Sequence, residues 1–155
     1  MRGFWNLMNN KKIIYFFKIF FLSFNIFLFY CVEPPEYDDG LLLNIPAIVN
    51  ENDFFSLSLN AEDYTKSKSW DLVFNGGSTD TLYTSLIIKD YSGSINDSTS
   101  LRLYNSNKTN IFDVLINSEI TSIEKIPIEY IGNPDRLELV SNNFNGLIDL
   151  QLIKQ

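Results

Sequence analysis

Between Phe54 and Asn60 the chain reads FFSLSLN, and Phe55, Leu57 and Leu59 alternate with Ser56, Ser58 and Asn60. In an extended strand successive side chains point to opposite faces, so this period-two pattern describes a ribbon with one apolar and one polar side. WDLVF repeats it, with Trp70, Leu72 and Phe74 on one face. Further runs of β-branched and aromatic residues predict strands at LYTSLIIK (Leu82 to Lys89), LRLY (Leu101 to Tyr104), IFDVLI (Ile111 to Ile116), KIPIEYI (Lys125 to Ile131), RLELV (Arg136 to Val140) and LIDLQLI (Leu147 to Ile153). Turn-forming stretches separate them: NGGS from Asn75, YSGSINDSTS from Tyr91, NSNKTN from Asn105, GNPD from Gly132 and SNNFNG from Ser141. Roughly eight short strands at this spacing predict an all-β domain, an antiparallel β-sandwich or barrel.

Helix is expected only in NSEITSIEK, where Ser118 can cap a turn or two that places Ile120 and Ile123 on one side. Pro127 removes a backbone donor from KIPIEYI, which predicts an edge or bulged strand there. Gly76 with Gly77, and Asn145 with Gly146, read as hairpin turns. No internal repeat is present.

A different pattern precedes this domain. From Ile13 to Tyr30 the chain is almost unbroken hydrocarbon, interrupted by Lys18 and Asn25 and preceded by Arg2, Lys11 and Lys12 without any acid. A basic segment followed by an apolar one is the layout of an export signal. A membrane-crossing helix needs roughly 20 apolar residues, and Lys18 leaves only Ile19 to Tyr30 uninterrupted by charge, which favours a cleaved signal over 1–30 against a retained anchor. Met8 offers an alternative start that sets the lysines directly beside the apolar run. Residues 31–40, CVEPPEYDDG, combine Pro34 and Pro35 with Glu33, Glu36, Asp38 and Asp39, a composition that stays extended and solvated as a tether. Residues 41–155 then form the single β domain.

Removing the leader takes away four of the 12 basic residues and no acid, leaving 8 against 19 acidic residues, net −11. A chain of that charge, without a basic patch interleaved with aromatics, repels phosphate backbones, so nucleic acid is not an expected partner. Cys31 is the sole cysteine, so the domain has no internal disulfide and no thiolate metal site.

The chain has no histidine. That excludes Ser-His-Asp and Cys-His catalysis, His-ligated zinc and imidazole proton transfer. NGGSTDT lacks the spacing and lysine of a phosphate loop. Paired carboxylates are the remaining catalytic chemistry, with Asp71, Asp113, Glu129, Glu138 and Asp149 on expected strands; outward solvated charge accounts for each more simply, and a non-enzyme is expected. SNNFNGLID has part of a calcium-loop rhythm at Asn143, Asn145, Gly146 and Asp149, but its first ligand is not acidic and Leu152 occupies the place of the bidentate Glu, so no metal site is expected.

Two resemblances add to this reading. SFNIFLFYC, with Leu28 three residues before Cys31, resembles a bacterial lipoprotein signal, in which the cysteine becomes the lipidated first residue of the mature chain. Tyr30 departs from that pattern, which places a small residue before the cysteine. The acidic run behind Cys31 looks like the surface-export signal of Bacteroidetes lipoproteins, and a plain charged linker accounts for it equally well. FFSLSLNAEDYTKSKSWDLVFNGGS, from Phe54 to Ser78, resembles the early part of HmuY-like proteins, all-β lipoproteins of Bacteroidetes associated with heme capture; the matching positions are Phe55, Ser56, Leu57, Trp70, Asp71, Leu72 and Phe74.

Those resemblances imply a membrane tether through lipid on Cys31, an outer-membrane and surface-exposed location, and a non-catalytic module that binds a ligand, an outer-membrane receptor or another surface partner. They also imply a difficulty: the family's heme-binding members use His or Met, and here Met1 and Met8 lie in the leader. Heme is compatible only with other ligands. Tyrosine can serve, and the domain keeps Tyr64, Tyr83, Tyr91, Tyr104 and Tyr130. A binding module predicts an exposed aromatic patch drawing on Tyr83, Tyr91 or Tyr104; a structural or adhesive surface module predicts scattered aromatics. NDS at Asn96 and NKT at Asn107 match glycosylation acceptors, which would suit a secreted eukaryotic chain, although such matches arise readily in a sequence so rich in Asn, Ser and Thr.

Overall fold

The computed structural model describes residues 40–93 and 98–155. The leader, Cys31, the tether up to Asp39 and the acceptor Asn96 lie outside the described residues. Nine strands follow in order: β1 (Ala47–Asn50), β2 (Phe54–Tyr64), β3 (Ser67–Asp71), β4 (Thr81–Lys89), β5 (Thr99–Asn105), β6 (Asn110–Ile116), β7 (Ile120–Pro127), β8 (Pro134–Val140) and β9 (Phe144–Lys154), with one short helix, α1 (Ile128–Ile131), between β7 and β8. They form two antiparallel sheets, β1-β2-β9-β4-β7 and β3-β8-β5-β6. The arrangement is a β-sandwich.

Period two explains how the sheets meet. β2 turns Phe55, Leu57 and Leu59 inward, β4 turns Leu82, Leu86 and Ile88 inward, and β9 adds Ile148, Leu150 and Leu152. The facing sheet supplies Leu101 and Leu103 from β5, Leu137 and Leu139 from β8, and Ile116 from β6, each wholly buried. A fully buried aliphatic side chain contributes about 1.5–3 kcal/mol, and with no disulfide this layer holds the domain together. Phe55, Leu57, Leu72 and Phe74 are buried in it and Trp70 packs against it, whereas Asp71 is exposed.

Six of the eight strand-to-strand connections cross from one sheet to the other. This corrects several local expectations. Gly76 and Gly77 close no hairpin; they lie on the arch from β3 to β4, where Gly77 and Asp80 form a turn through Asp80 N–H to Gly77 O at 3.1 Å, and a side chain on Gly76 would collide with Ile128. Asn145 and Gly146 lie within β9, and the turn into that strand falls earlier, with Asn143 at φ 55°. Gly146, at φ 136°, lies opposite Ala61 where the β2–β9 register breaks, and a Cβ there would come 2.8 Å from the Lys89 carbonyl oxygen.

Two secondary-structure expectations exchange places. NSEITSIEK, read as helix, is mostly strand β7, and the end of KIPIEYI, read as strand, is the helical turn α1. Ile120 and Ile123 fit helical spacing, but β7 finds a full ladder of partners along β4, from Ile120 opposite Ile88 to Pro127 opposite Thr81. Cross-strand pairing outweighs the weak local preference of so short a segment. Pro127 does end an edge strand, as its missing N–H requires. WDLVF is strand only to Asp71, and β1 has no counterpart among the expected strands.

Candidate functional site

The sandwich has two lateral edges, and they are built differently. At one, β1 and β3 are latched by Asn50: its side-chain amide donates to Asp71 O at 2.9 Å and its amide oxygen accepts from Val73 N–H at 3.0 Å. A carboxamide presents an N–H donor beside a C=O acceptor as a peptide unit does, so Asn50 bridges the sheets as a strand neighbour would. Asn44 against Glu62 and Asn133 against Phe74 and Gly76 use the same device.

At the opposite edge, β6 and β7 leave one sheet for the other through the arch Asn117–Glu119. Among the described residues no hydrogen bond joins these two strands. The gap between them is a cleft of about 220 Å³. Thr84 and Leu86 of β4 form its floor, Phe112 and Val114 of β6 one wall, and Ile120, Ser122 and Glu124 of β7 the other. Phe112 and Val114 are inward-facing core positions that stay half-exposed because this edge is open. The surface is hydrocarbon with two hydroxyls and one carboxylate, and no cation pairs with Glu124 among the described residues.

The two flanking strands treat their free edges differently. β7 carries Glu124 inward, Lys125 outward and Pro127 at its end, three devices that discourage edge-to-edge pairing. Lys125 is held over the Tyr83 ring, 5.1 Å from its centroid. β6 reads NIFDVLI and has neither Pro nor Lys; its lone charge, Asp113, is drawn to Arg102 on β5 at 3.0 Å. That partner is also what raises the Arg102 pKa above its ordinary value, by hydrogen bonding first and by charge second.

The tyrosines named from the sequence do not converge. Tyr83 lies on the outer face of the five-stranded sheet, Tyr104 on the outer face of the four-stranded sheet, and Tyr91 packs in the connection after β4 with its ring 6.2 Å from that of Phe144. The three therefore share no common patch, and none of them lines the cleft. Tyr64 is 2% exposed and its hydroxyl has no hydrogen-bond partner among the described residues; burial pushes its pKa up. Tyr130 stands exposed on α1.

The carboxylates proposed for acid-base work are also dispersed. Asp71, Asp113 and Glu138 lie on the outer face of the four-stranded sheet, where Glu138 pairs with Arg136 at 3.2 Å; Asp149 lies on the outer face of the other sheet, accepting from Ser58 at 3.3 Å; Glu129 is on α1. No group of three potential metal-binding side chains occurs among the described residues, nor does any helix there have the length and apolarity to cross a membrane.

The cleft residues were not singled out by sequence reasoning. The signal available was β7 itself, whose inward positions carry Ser122 and Glu124 while Ile123, pointing outward, is 77% exposed. Such an inverted strand fits a place where the inner face reaches water.

No protein-family model matches the chain, and no curated protein matches it. Distantly similar solved structures include the following two. One comes from work on Bacillus endospore appendages, described as a family of disulfide-linked pili, at 9% identity and TM-score 0.38, covering 79% of this chain and 96% of that one. The other is the capsular polysaccharide assembling protein CapF from Staphylococcus aureus, at 8% identity and TM-score 0.29, covering 74% of this chain and 29% of that one.

Proposed function

We propose that this chain is a non-catalytic binding module, tethered to the bacterial cell envelope through lipid on Cys31, and that it binds through the cleft between β6 and β7. The observation that carries the binding part is an open apolar cleft flanked by an unpaired strand edge in a sandwich whose opposite edge is latched. Exposed apolar surface of this kind lowers solubility and stability unless a ligand uses it. The tether rests on the leader pattern ahead of Cys31 and the solvated stretch that follows.

Two experiments test it. Intact mass of the chain extracted from membranes should show Cys31 as the first residue carrying acyl mass; an unmodified Cys31 in a chain that retains its leader would refute the tether. Titration with benzylamine, an apolar cation small enough for the cleft, should shift the amide resonances of Phe112, Val114 and Ser122 saturably. Benzylamine shifts scattered over the surface, with none at the cleft and no other probe saturating there, would refute the binding site.

A further inference from the structure

We infer that the natural occupant of the cleft is an extended segment of a partner polypeptide, which joins the four-stranded sheet as a fifth strand along β6. This rests on the reading of the cleft as a binding site and names what fills it.

Three observations select a strand over a compact ligand. First, the five-stranded sheet ends in β7 while the four-stranded sheet ends one strand short, at β6, with no pairing on its outer side among the described residues. Second, β6 is a seven-residue strand in which Ile111, Phe112, Val114 and Ile116 have high strand propensity, and it lacks the inward carboxylate, outward lysine and terminal proline that guard β7. A free row of N–H and C=O groups is specific for another extended backbone. Third, the cleft walls repeat at every second residue: Phe112 and Val114 on β6, then Ile120, Ser122 and Glu124 on β7. Alternate side chains of an added strand would enter at that spacing, about 6.6 Å apart.

The lining also fixes the partner's chemistry. β6 and β7 separate from the arch Asn117–Glu119, so Val114 and Ile120 lie near the arch and Phe112 and Glu124 farther from it. Inward residues of the partner near the arch meet hydrocarbon, and the one at the far end meets the carboxylate of Glu124. The partner strand is therefore apolar at two alternating positions and basic at the third. Running antiparallel to β6, it places its basic residue last. A second copy of this chain matches less well, because an in-register antiparallel β6–β6 pair sets Asp113 against Asp113, and like charges directly opposite repel.

The test fuses a probe strand to the full chain. Thr-Val-Thr-Leu-Thr-Lys-Thr is attached after Gln155 through a Gly/Ser linker of about sixteen residues, a flexible span on the order of 20 Å that raises the local concentration of the strand to about millimolar. Two controls carry Thr-Thr-Val-Leu-Lys-Thr-Thr, which breaks the alternation, and a Lys-to-Glu version of the probe. The expected result is slowed amide hydrogen exchange in β6 with the alternating probe alone. Glu124→Lys should weaken closure by about fivefold with the Lys probe and strengthen it with the Glu probe; Glu124 is exposed, so this change leaves the core intact.

Unchanged β6 exchange in all fusions, together with saturable benzylamine shifts in the cleft, would overturn strand addition and leave the binding reading standing. Absence of both responses would remove both readings. Equal protection by the alternating and broken probes would also overturn the inference, since hydrophobic adhesion needs no register. Concentration-dependent protection of β6 in the unfused chain would overturn it in favour of a second copy.

Discussion

Replacing Asn50 tests whether a single carboxamide holds one edge of the sandwich shut. Asn50→Ala removes a donated bond to Asp71 O and an accepted bond from Val73 N–H. Each such bond contributes a net of about 0.5–1.5 kcal/mol, so the variant should lose about 1–3 kcal/mol, or roughly 4–12 °C in Tm for a domain of this size. Asn50→Asp is more diagnostic. Its carboxylate can still accept from Val73, but it then faces the Asp71 carbonyl oxygen without a proton to share, so at neutral pH it should be at least as damaging as Ala. That unfavourable contact raises the folded-state pKa of the new carboxyl above its unfolded value of about 3.9. The folded state then holds the proton more tightly, so the variant recovers stability relative to the parent as pH falls below the raised pKa and loses it again as pH rises. Urea unfolding between pH 3 and 7, followed by far-ultraviolet circular dichroism and by emission of Trp70 on the neighbouring β3, measures the difference; faster exchange at the Val73 amide reports local opening. Asn52→Ala, an exposed neighbour, is the control and should stay within about 0.5 kcal/mol. The latch argument fails if Asn50→Ala matches that control, or if Asn50→Asp tracks the parent at every pH.

Tyr64→Phe should be neutral or stabilising by chemical denaturation, because its hydroxyl is buried without a partner among the described residues. The same change should blunt the loss of stability above about pH 10, where the unfolded chain ionises its tyrosines while burial keeps Tyr64 protonated in the fold. Gly146→Ala should cost about 2–4 kcal/mol in urea unfolding through its positive φ and the nearby Lys89 carbonyl; a cost below 0.5 kcal/mol would show that β9 can shift. Leu150→Ala should cost about 2–5 kcal/mol, as expected for a wholly buried leucine. Hemin titration tests heme capture through tyrosine: a stoichiometric shifted Soret band abolished by a single Tyr→Phe change would establish it, and the lack of any saturable shift would rule it out.

The all-β class and most of the core were legible because period two is a local property that burial preserves. Phe55, Leu57 and Leu59 read as one face and are one face. Local turn chemistry was less informative. Asn145-Gly146 has hairpin chemistry, yet Gly146 is needed inside β9 by the Lys89 carbonyl, a neighbour distant in the chain. Ile120 and Ile123 have helical spacing, yet β4 supplies β7 with strand partners throughout. In both cases a long-range contact outweighed a preference worth a fraction of a kcal/mol. Aromatic content said even less about the binding surface, because parity along β4 and β5 sends Tyr83 and Tyr104 to opposite outer faces.

The cleft was illegible for a related reason, and the same reason makes it informative. Leu86, Phe112 and Val114 read as apolar positions of expected strands and Ile120 as one side of an expected helical turn, and only the sheet order places them at an edge where the core stops short. Glu124 is the exception. An inward-facing carboxylate in a closed sandwich would need a partner, since an unpaired buried charge costs several kcal/mol; beside an open edge it stays hydrated. As a guard, it keeps β7 from pairing promiscuously. A guard on β7 alone would still leave β6 exposed to any extended chain. If strand addition on β6 is the function, guarding one lip and leaving the other bare resolves the conflict: the carboxylate repels acidic strands, including other copies of this acidic chain, while it favours a basic one. Glu124 then selects a basic strand, Asp113 disfavours a second copy, and the charge-reversal pair at Glu124 reads that selectivity in a single measurement.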